Sequence, residues 1–201
     1  MRCVVLCACL TASAATIAAA QEPVPSRLLL ELRVFDGLEE VTAQTRVTVH
    51  QAGTRGEPLA QTTSPDGRVQ LQVPSGIYDV QAIHERDGRV LNIRWANRLI
   101  VMPYPDEAGK HLEVINFKPG YGALQIRAQD KDAGTLDIAI YELGKHEKPV
   151  TAPITAPAYT LFIVPAGTYD LQVRKGVQTA WHPKIDVPLD RTRLWIAPTA
   201  F

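Results

Sequence analysis

Apolar and polar residues alternate along most of the chain, so that every second residue is apolar. The clearest alternating runs are 30–34, 46–50, 68–73, 111–115, 124–127 and 169–173. An extended strand with this period has one apolar face and one polar face, so each run is predicted to be a half-buried β-strand. No window carries an apolar stripe of helical spacing longer than about two turns. The pattern therefore predicts an all-β fold.

Turn-forming residues separate these runs. They include Ser64-Pro65-Asp66-Gly67, Asp87-Gly88 and Lys118-Pro119-Gly120. The pair Asp66 and Gly67 suits a type I′ hairpin, in which both central residues take a positive φ. We therefore expect a tight hairpin at this position.

The chain repeats itself at a spacing of 91 residues. The segment 73–81 matches 164–172, so that Tyr78 and Asp79 correspond to Tyr169 and Asp170. A repeat of this length indicates a tandem pair of domains, because solenoid repeats are shorter. We predict one domain over residues 24–118 and a second over 121–201, joined at Lys118-Pro119-Gly120.

The repeated segment resembles the carboxypeptidase regulatory-like domain. The first copy contains a strand, the turn Asp66-Gly67-Arg68, a short strand and the sequence 74–79, which reads Pro-x-Gly-x-Tyr-Asp. The second copy keeps residues 164–173 but has a Pro/Ala/Thr-rich stretch, 151–159, in place of the turn. The resemblance implies two tandem seven-stranded prealbumin-like (Ig-like) β-sandwiches. It also implies an accessory domain of a kind associated with binding glycans or other proteins.

The motif residues have structural interpretations. Gly76 and Gly167 are expected to adopt a backbone conformation closed to other residues. Tyr78 and Tyr169 are expected to place their rings between the sheets, with each hydroxyl bonded to a nearby backbone group. The aspartate after each tyrosine then either faces water or accepts hydrogen bonds from the turn.

The N-terminal segment is typical of an export signal. Residues 1–20 begin with a positive charge, continue through apolar and small residues and end at Ala20. We interpret them as a Sec-type signal peptide, which implies a periplasmic or secreted protein with no stable transmembrane segment in the mature chain. Cys3, Cys7 and Cys9 all lie in this segment, and lipidation of Cys9 stays open. The mature chain would therefore have no thiol chemistry.

Composition and motifs argue against several functions. The chain has 21 basic and 21 acidic residues, so it lacks the basic surface that nucleic-acid binding needs. The five histidines have no metal-ligand spacing, and no phosphate loop or serine elbow occurs. We predict no catalytic residues, no metal and no cofactor. Any catalytic site would have to come from rim loops, where Asp36, His84, Asp106 and His146 are the candidates.

A candidate binding surface comes from aromatic and basic residues. Its members are Trp195, Trp95, Arg94, Arg98 and Tyr104. Trp95 shares a strand face with Leu91 and Ile93, which favours a core position. The two arginines are either a site for an anionic or planar ligand or partners in cross-strand ion pairs. Trp195 either points outward, where it can stack on a sugar or fill a partner's pocket, or packs against the other domain or a loop.

These observations favour an exported, non-catalytic binding or accessory protein that recognises a protein partner in the envelope. Exposed edge strands and rim loops support that interpretation. A carbohydrate-binding module that uses exposed aromatic residues is the alternative, and a structural envelope component is the third possibility.

Overall fold

The computed structural model describes residues 27–64, 66–104, 109–129 and 136–198. The predicted signal peptide and its cysteines lie outside the described residues. The described part contains fifteen β-strands, one 3₁₀ turn (Thr42–Gln44) and no α-helix, which confirms the all-β prediction. Among these residues no helix is long and apolar enough to cross a membrane.

The strands form four sheets, two from each half of the chain. Sheet I contains β1 (Leu28–Asp36), β2 (Glu39–Glu40), β5 (Val69–Val73) and β8 (Lys110–Asn116), and sheet II contains β3 (Thr45–Gln51), β4 (Ala60–Thr63), β6 (Gly76–Arg86) and β7 (Arg89–Val101). Sheet III contains β9 (Tyr121–Ala128), β11 (Ile154–Ala156), β12 (Tyr159–Pro165) and β15 (Thr192–Ala197), and sheet IV contains β10 (Asp137–Glu142), β13 (Gly167–Lys175) and β14 (Gln178–Val187).

Each half of the chain encloses its own apolar core. The alternating leucines of β1 pack against Val47, Val49 and Val80 to fill the space between sheets I and II. Leu124, Ile126 and their neighbours fill the equivalent space between sheets III and IV. Each half is therefore a β-sandwich, which we call the first sheet pair (sheets I and II) and the second sheet pair (sheets III and IV).

The two sheet pairs also pack against each other, through sheets I and III. The buried cluster between them consists of Phe35, Leu112, Val114, Ala123, Leu161 and Ile163. The sequence places the junction at residues 118–120, but the contact extends over the faces of two sheets. The order across the molecule is sheet II, sheet I, sheet III, sheet IV.

This arrangement corrects the expectation that every alternating strand has a wet face. Residues 111–116 of β8 and 122–127 of β9 are buried on both faces. On β9 the polar face, with Gln125, meets sheet I, because Leu124 and Ile126 face the second core. On β8 the apolar residues Leu112 and Val114 meet sheet III, and Glu113, which shares the face of Leu32, accepts a hydrogen bond from the backbone of Thr192 at 3.2 Å. Alternation separated the two faces of each strand, but it could not tell that protein covers both of them.

The strand order of the two sheet pairs is closely related. In the first, β1 pairs antiparallel with β5 and parallel with β8. In the second, β9 pairs antiparallel with β12 and parallel with β15. The ladder β3-β6-β7 likewise corresponds to β10-β13-β14. Two strands differ. The short β2 beside β1 has no counterpart among the described strands, and β4 extends sheet II beside β3 whereas β11 joins sheet III beside β12.

The turn at Asp66 and Gly67 differs from its prediction. It connects β4 of sheet II to β5 of sheet I, so it is not a hairpin, and Gly67 has a positive φ of 75°. Gly67 donates its N–H to the carbonyl of Ser64 at 3.0 Å. The hydroxyl of Ser64 also binds Asp66, which lowers the pKa of that carboxyl.

The type I′ geometry occurs instead at the next turn dipeptide. Asp87 and Gly88 have φ values of 53° and 74°, and they join β6 to β7 through the residue pair Arg86 and Arg89. Two positive φ values in a two-residue loop match the twist of the flanking strands.

Candidate functional site

The tyrosine of each repeated motif lies in a core, as the sequence predicts. Tyr78 is 4% exposed and Tyr169 is 7% exposed. The Tyr78 hydroxyl donates to the carbonyl of Pro74 at 2.6 Å, and the Tyr169 hydroxyl donates to that of Pro165 at 2.7 Å. Burial raises the pKa of both phenols. Each ring therefore closes one end of a sandwich and leaves no reactive hydroxyl free.

The motif glycines do not adopt the backbone conformation that the sequence analysis expects. Neither Gly76 nor Gly167 has a positive φ. A Cβ on Gly76 would lie 3.3 Å from the hydroxyl oxygen of Tyr78, and a Cβ on Gly167 would lie 3.7 Å from the Tyr169 ring. The missing Cβ therefore makes room for the ring at Gly76, whereas the distance at Gly167 is that of an ordinary van der Waals contact.

The aspartates after the tyrosines are buried acceptors. Asp79 Oδ1 accepts the N–H of Arg98 at 2.7 Å and Oδ2 accepts that of Gly53 at 2.9 Å. The backbone bond from Arg98, followed by that from Gly53, lowers the pKa of Asp79. Each carboxylate thus fixes the loop after one strand to a bulge in another, so the alternative in which these aspartates face water is wrong.

Asp170 makes the same contacts one repeat later. It accepts the N–H groups of Gly144 at 2.9 Å and Lys184 at 3.1 Å. It also binds Nε2 of His146 at 2.9 Å. The bond from Gly144 and then that from His146 lower the pKa of Asp170.

An aromatic cluster lies on the outer face of sheet II, beside Asp79. The guanidinium carbon of Arg55 lies 4.7 Å from the ring centroid of Trp95, and the ring of His50 lies 5.5 Å from it. His50 is buried under the cluster, whereas Trp95 is half-exposed. The cluster therefore has a fixed base and an accessible indole.

An equivalent cluster covers the outer face of sheet IV. The ring of His146 stacks on Trp181 with centroids 4.1 Å apart, and Tyr141 lies 5.2 Å from the same indole. His146 and Tyr141 are 91 residues after Arg55 and His50. The shared pattern is a tryptophan on the outer face, covered by a cation or imidazole and supported by a buried ring. Sequence reasoning missed it because Arg55 and His50 come from a separate loop and strand.

Trp95 is not in the core. It shares a face with Ile93, as the alternation predicts, but that face is the outer one, and the side chains of Leu91 and Ile93 are 49% and 58% exposed. The inner face of β7 is instead occupied by Ala96 and Leu99, which a bulge opposite Tyr78 to Val80 brings onto the same side.

Two members of the predicted binding surface are covered by protein. The Tyr104 hydroxyl lies between sheets I and III, where it donates to Oε1 of Gln125 at 2.8 Å. Trp195 is half-buried against the second core, and its ring lies 4.9 Å from that of His182. Trp195 lies beside Ile126 in the parallel pairing of β15 and β9, so it faces sheet IV.

The two arginines occupy different places. Arg94 pairs with Asp190 at 2.5 Å, in a cleft of about 340 Å³ between β7, β8 and the turn before β15. Arg98 has a φ of 56° at the bulge, where its N–H binds Asp79. The five predicted residues therefore do not form one site.

Exposed apolar side chains concentrate near β7 in the described part of the chain. Six of the twelve large ones lie within residues 77–102: Ile77, Val90, Leu91, Ile93, Ile100 and Met102. Ile77 and Ile100 are paired neighbours whose flanking residues, Tyr78 and Leu99, face the core. Ile77, Ile93, Trp95 and Ile100 therefore share the outer face of sheet II, and Leu91 is exposed beside them at a second bulge, opposite His84 and Glu85. We call these five residues the β7 surface.

The rim-loop candidates for chemistry do not converge. Asp36 accepts a hydrogen bond from Asn92, His146 binds Asp170, and Asp106 lies outside the described residues. His84 is on the inner face of sheet II, stacked on Phe117 at 5.8 Å. Within the described ranges no three His, Cys, Asp or Glu side chains are close enough to hold a metal ion.

Comparison with known proteins gives only distant structural similarity. No family profile and no curated protein sequence matches the chain. The TIE protein of Bacillus anthracis matches with 17% identity and a TM-score of 0.34, over 86% of this chain and 34% of its own. The tip fimbrial protein Mfa3 of Porphyromonas gingivalis matches with 9% identity and a TM-score of 0.33, over 85% of this chain and 94% of its own. The chain thus spans about a third of the first protein, and TM-scores below 0.5 carry no weight for function.

Proposed function

We propose that the protein is an exported, non-catalytic binding protein that recognises a protein partner through the β7 surface. The observation that supports this most is the concentration of exposed apolar side chains on one face of sheet II. Groups of exposed apolar side chains on one face commonly mark interaction sites. A flat sheet face with a central indole suits an apolar protein surface better than a small polar ligand.

The domain organisation belongs to the same proposal. The two sheet pairs are two carboxypeptidase regulatory-like domains, over residues 24–118 and 121–201, and they follow a signal peptide that is cleaved near Ala20. The 91-residue spacing and the matched contacts of Asp79 and Asp170 support the tandem interpretation. Mass spectrometry of the exported chain tests the cleavage, with Gln21 as the expected first residue.

Partner recognition is tested with charge variants on the β7 surface. Ile93→Lys combined with Ile100→Lys places two charges in the proposed contact. Both side chains are more than half exposed, so the stability should change by less than about 0.5 kcal/mol. Val177→Lys is the matched control, because Val177 is fully exposed outside this surface.

The readout is binding between purified proteins. Envelope proteins captured by the wild-type chain are purified and their affinity is measured by calorimetry. We expect at least about a tenfold loss in the double variant and none in the control. Equal binding by all three chains would contradict the proposal, as would a wild-type dimer that the double variant abolishes.

Glycan binding is a second candidate because both outer sheets carry a half-exposed tryptophan at matched positions, Trp95 and Trp181. Arg55 and His146 already lie over these rings, so a sugar would have to displace them. Quenching of tryptophan fluorescence by an oligosaccharide, lost in Trp181→Ala, would favour this function over protein recognition.

A further inference from the structure

The edge of sheet IV differs from the matching edge of sheet II. In sheet II, β4 covers the edge of β3, with Thr63, Thr62 and Gln61 opposite Arg46, Val47 and Thr48. The counterpart of β3 is β10, which is the terminal strand of sheet IV in the described part of the chain. Among the described residues, no strand lies beside β10 in the position that β4 fills beside β3.

The second copy begins the same pairing and then leaves it. Leu59 donates its N–H to the carbonyl of Val49 at 2.9 Å. Val150 donates its N–H to the carbonyl of Ile140 at 2.8 Å, and both residues lie 91 positions after their counterparts. Beyond Val150 the chain turns away and forms β11, which pairs with β12 of sheet III. Pro153 cannot donate to a ladder, which favours this departure.

A cleft lies beside β10, where residues 148–153 turn away from sheet IV. It has a volume of about 650 Å³ and is lined by residues 137–139 and Tyr141 of β10, Gln172 and Arg174 of β13, and the departing segment 148–153. Because the carbonyl of Ile140 points to Val150, the alternation of an antiparallel strand directs the backbone groups of Ile138 to the same side. The cleft therefore contains the edge of β10.

We propose that this cleft accepts an extended strand from a partner protein, antiparallel to β10. In the first sheet pair, β4 shows what fits, since its alternate residues Ala60 and Thr62 are half-buried while Gln61 and Thr63 are exposed. The partner strand accordingly carries small or β-branched residues at every second position and polar residues between them. Main-chain bonds to Ile138 supply the affinity, and the alternate side chains supply the register.

Disulfide trapping tests the proposal at low affinity. The chain is prepared with Cys3, Cys7 and Cys9 replaced by serine and with Ala139→Cys. The probe is a synthetic peptide of residues 60–64, Ala-Gln-Thr-Thr-Ser, in which Gln61 is replaced by cysteine. The β3–β4 register places this cysteine opposite position 139, in a non-hydrogen-bonded pair where side chains are closest.

We expect the mixed disulfide to form at least about fivefold more at position 139 than in the control Val177→Cys, under the same redox buffer. Methylation of the peptide nitrogen at Thr62, which would donate to Ile138, should remove this preference, whereas methylation at Thr63 should keep it. Equal trapping at positions 139 and 177, or equal effects of the two methyl groups, would overturn the proposal. The cleft is on sheet IV and the β7 surface is on sheet II, so the outcome does not depend on the proposed function.

Discussion

At the scale of single residues, one buried carboxylate in each sheet pair connects a loop to a strand bulge. Asp79 joins the loop after β3 to the bulge in β7, because its two oxygens accept N–H groups from both segments. The bond from Arg98 fixes that residue at a positive φ of 56°, a conformation that usually costs about 1 kcal/mol or more outside glycine. Asp170 and Lys184 repeat the arrangement.

Asp79→Asn should therefore destabilise the protein, most strongly at neutral pH. The amide keeps one acceptor oxygen, but its NH₂ group opposes the N–H of Gly53, and such a loss costs about 1–3 kcal/mol. The pKa of Asp79 is lowered from its ordinary 3.8, so its carboxylate contributes fully above pH 3.8. That contribution is lost as the pH falls through the lowered value.

The measurement is urea unfolding of wild type and variant at neutral pH and below pH 3.8. The difference between the two unfolding free energies should shrink in acid. Asp137→Asn is the control, because the Asp137 side chain is 75% exposed and its nearest cation is 3.9 Å away. A difference that stays constant across this pH range would contradict the assigned role of the Asp79 carboxylate.

Residue chemistry was only partly predictable from the sequence. The hydrogen bonds of the two tyrosine hydroxyls could be predicted, because a buried phenol usually finds a hydrogen-bond partner nearby. The role of Gly76 could not, because the sequence shows a glycine but not whether its φ or its missing Cβ matters. The cluster of Trp95 and Arg55 also escaped prediction, since its members are brought together by tertiary packing alone.

At the scale of strands, the alternation identifies which residues share a face but not which face is buried. In β7, Ile93 and Trp95 share the apolar face, yet that face is exposed because a bulge changes the phase before Leu99. The path of residues 151–156 was equally hidden. The missing turn motif showed that the second copy differs, but the pairing of β11 with sheet III depends on contacts distant in sequence.

Gly122 in β9 provides a test of how strands and turns are fitted together. A Cβ at this position would lie 2.0 Å from the carbonyl oxygen of Pro188, which belongs to backbone and cannot rotate away. Gly122→Ala should therefore displace the turn before β15 and cost about 1–3 kcal/mol. Gly88→Ala is the matched control, because its Cβ meets open space and only the φ of 74° opposes it.

The two variants differ in where their effects appear. Displacement of the turn should weaken the bond from Arg191 to the carbonyl of Asn97, which is 2.7 Å long. NMR should then show shifted amide signals near Asn97 in Gly122→Ala, whereas Gly88→Ala should shift only its own hairpin. Unchanged signals near Asn97 would show that β9 and the turn are not coupled in this way.

At the scale of the whole molecule, the contact between sheets I and III makes the two sheet pairs one stack. The sequence predicted two domains and a short joint, because the 91-residue spacing is visible in it. It did not predict the packing of their faces, because that contact uses Glu31, Glu113, Gln125 and Arg127, whose polar side chains suggested solvent. Their burial requires partners, and the structure provides several across the contact.

Tyr159 is a probe of the contact between sheets I and III. Its hydroxyl donates to Oε1 of Glu31 across the contact at 2.7 Å. Burial, followed by the bond to Glu31, raises the pKa of Tyr159 from 10.0 to about 12. A raised pKa means that the protonated phenol stabilises the folded state below pH 10, and that this contribution is lost as the pH rises through about 12.

An alkaline titration should therefore show the Tyr159 phenol ionising near pH 12, in the same range as other buried phenols with a raised pKa, and its ionisation should loosen the stack because tyrosinate and Glu31 repel each other at this distance. In Tyr159→Phe the absorbance change near pH 12 should shrink by one phenol, and the unfolding free energy should fall less between pH 10 and 12 than in wild type. Tyr121→Phe serves as the control, because Tyr121 lies outside the bond to Glu31, and it should keep the absorbance change near pH 12. The measurements are tyrosinate absorbance for the ionisation and urea unfolding for the stability. If Tyr159→Phe and wild type lose stability in parallel above pH 10, the bond between Tyr159 and Glu31 does not hold sheets I and III together.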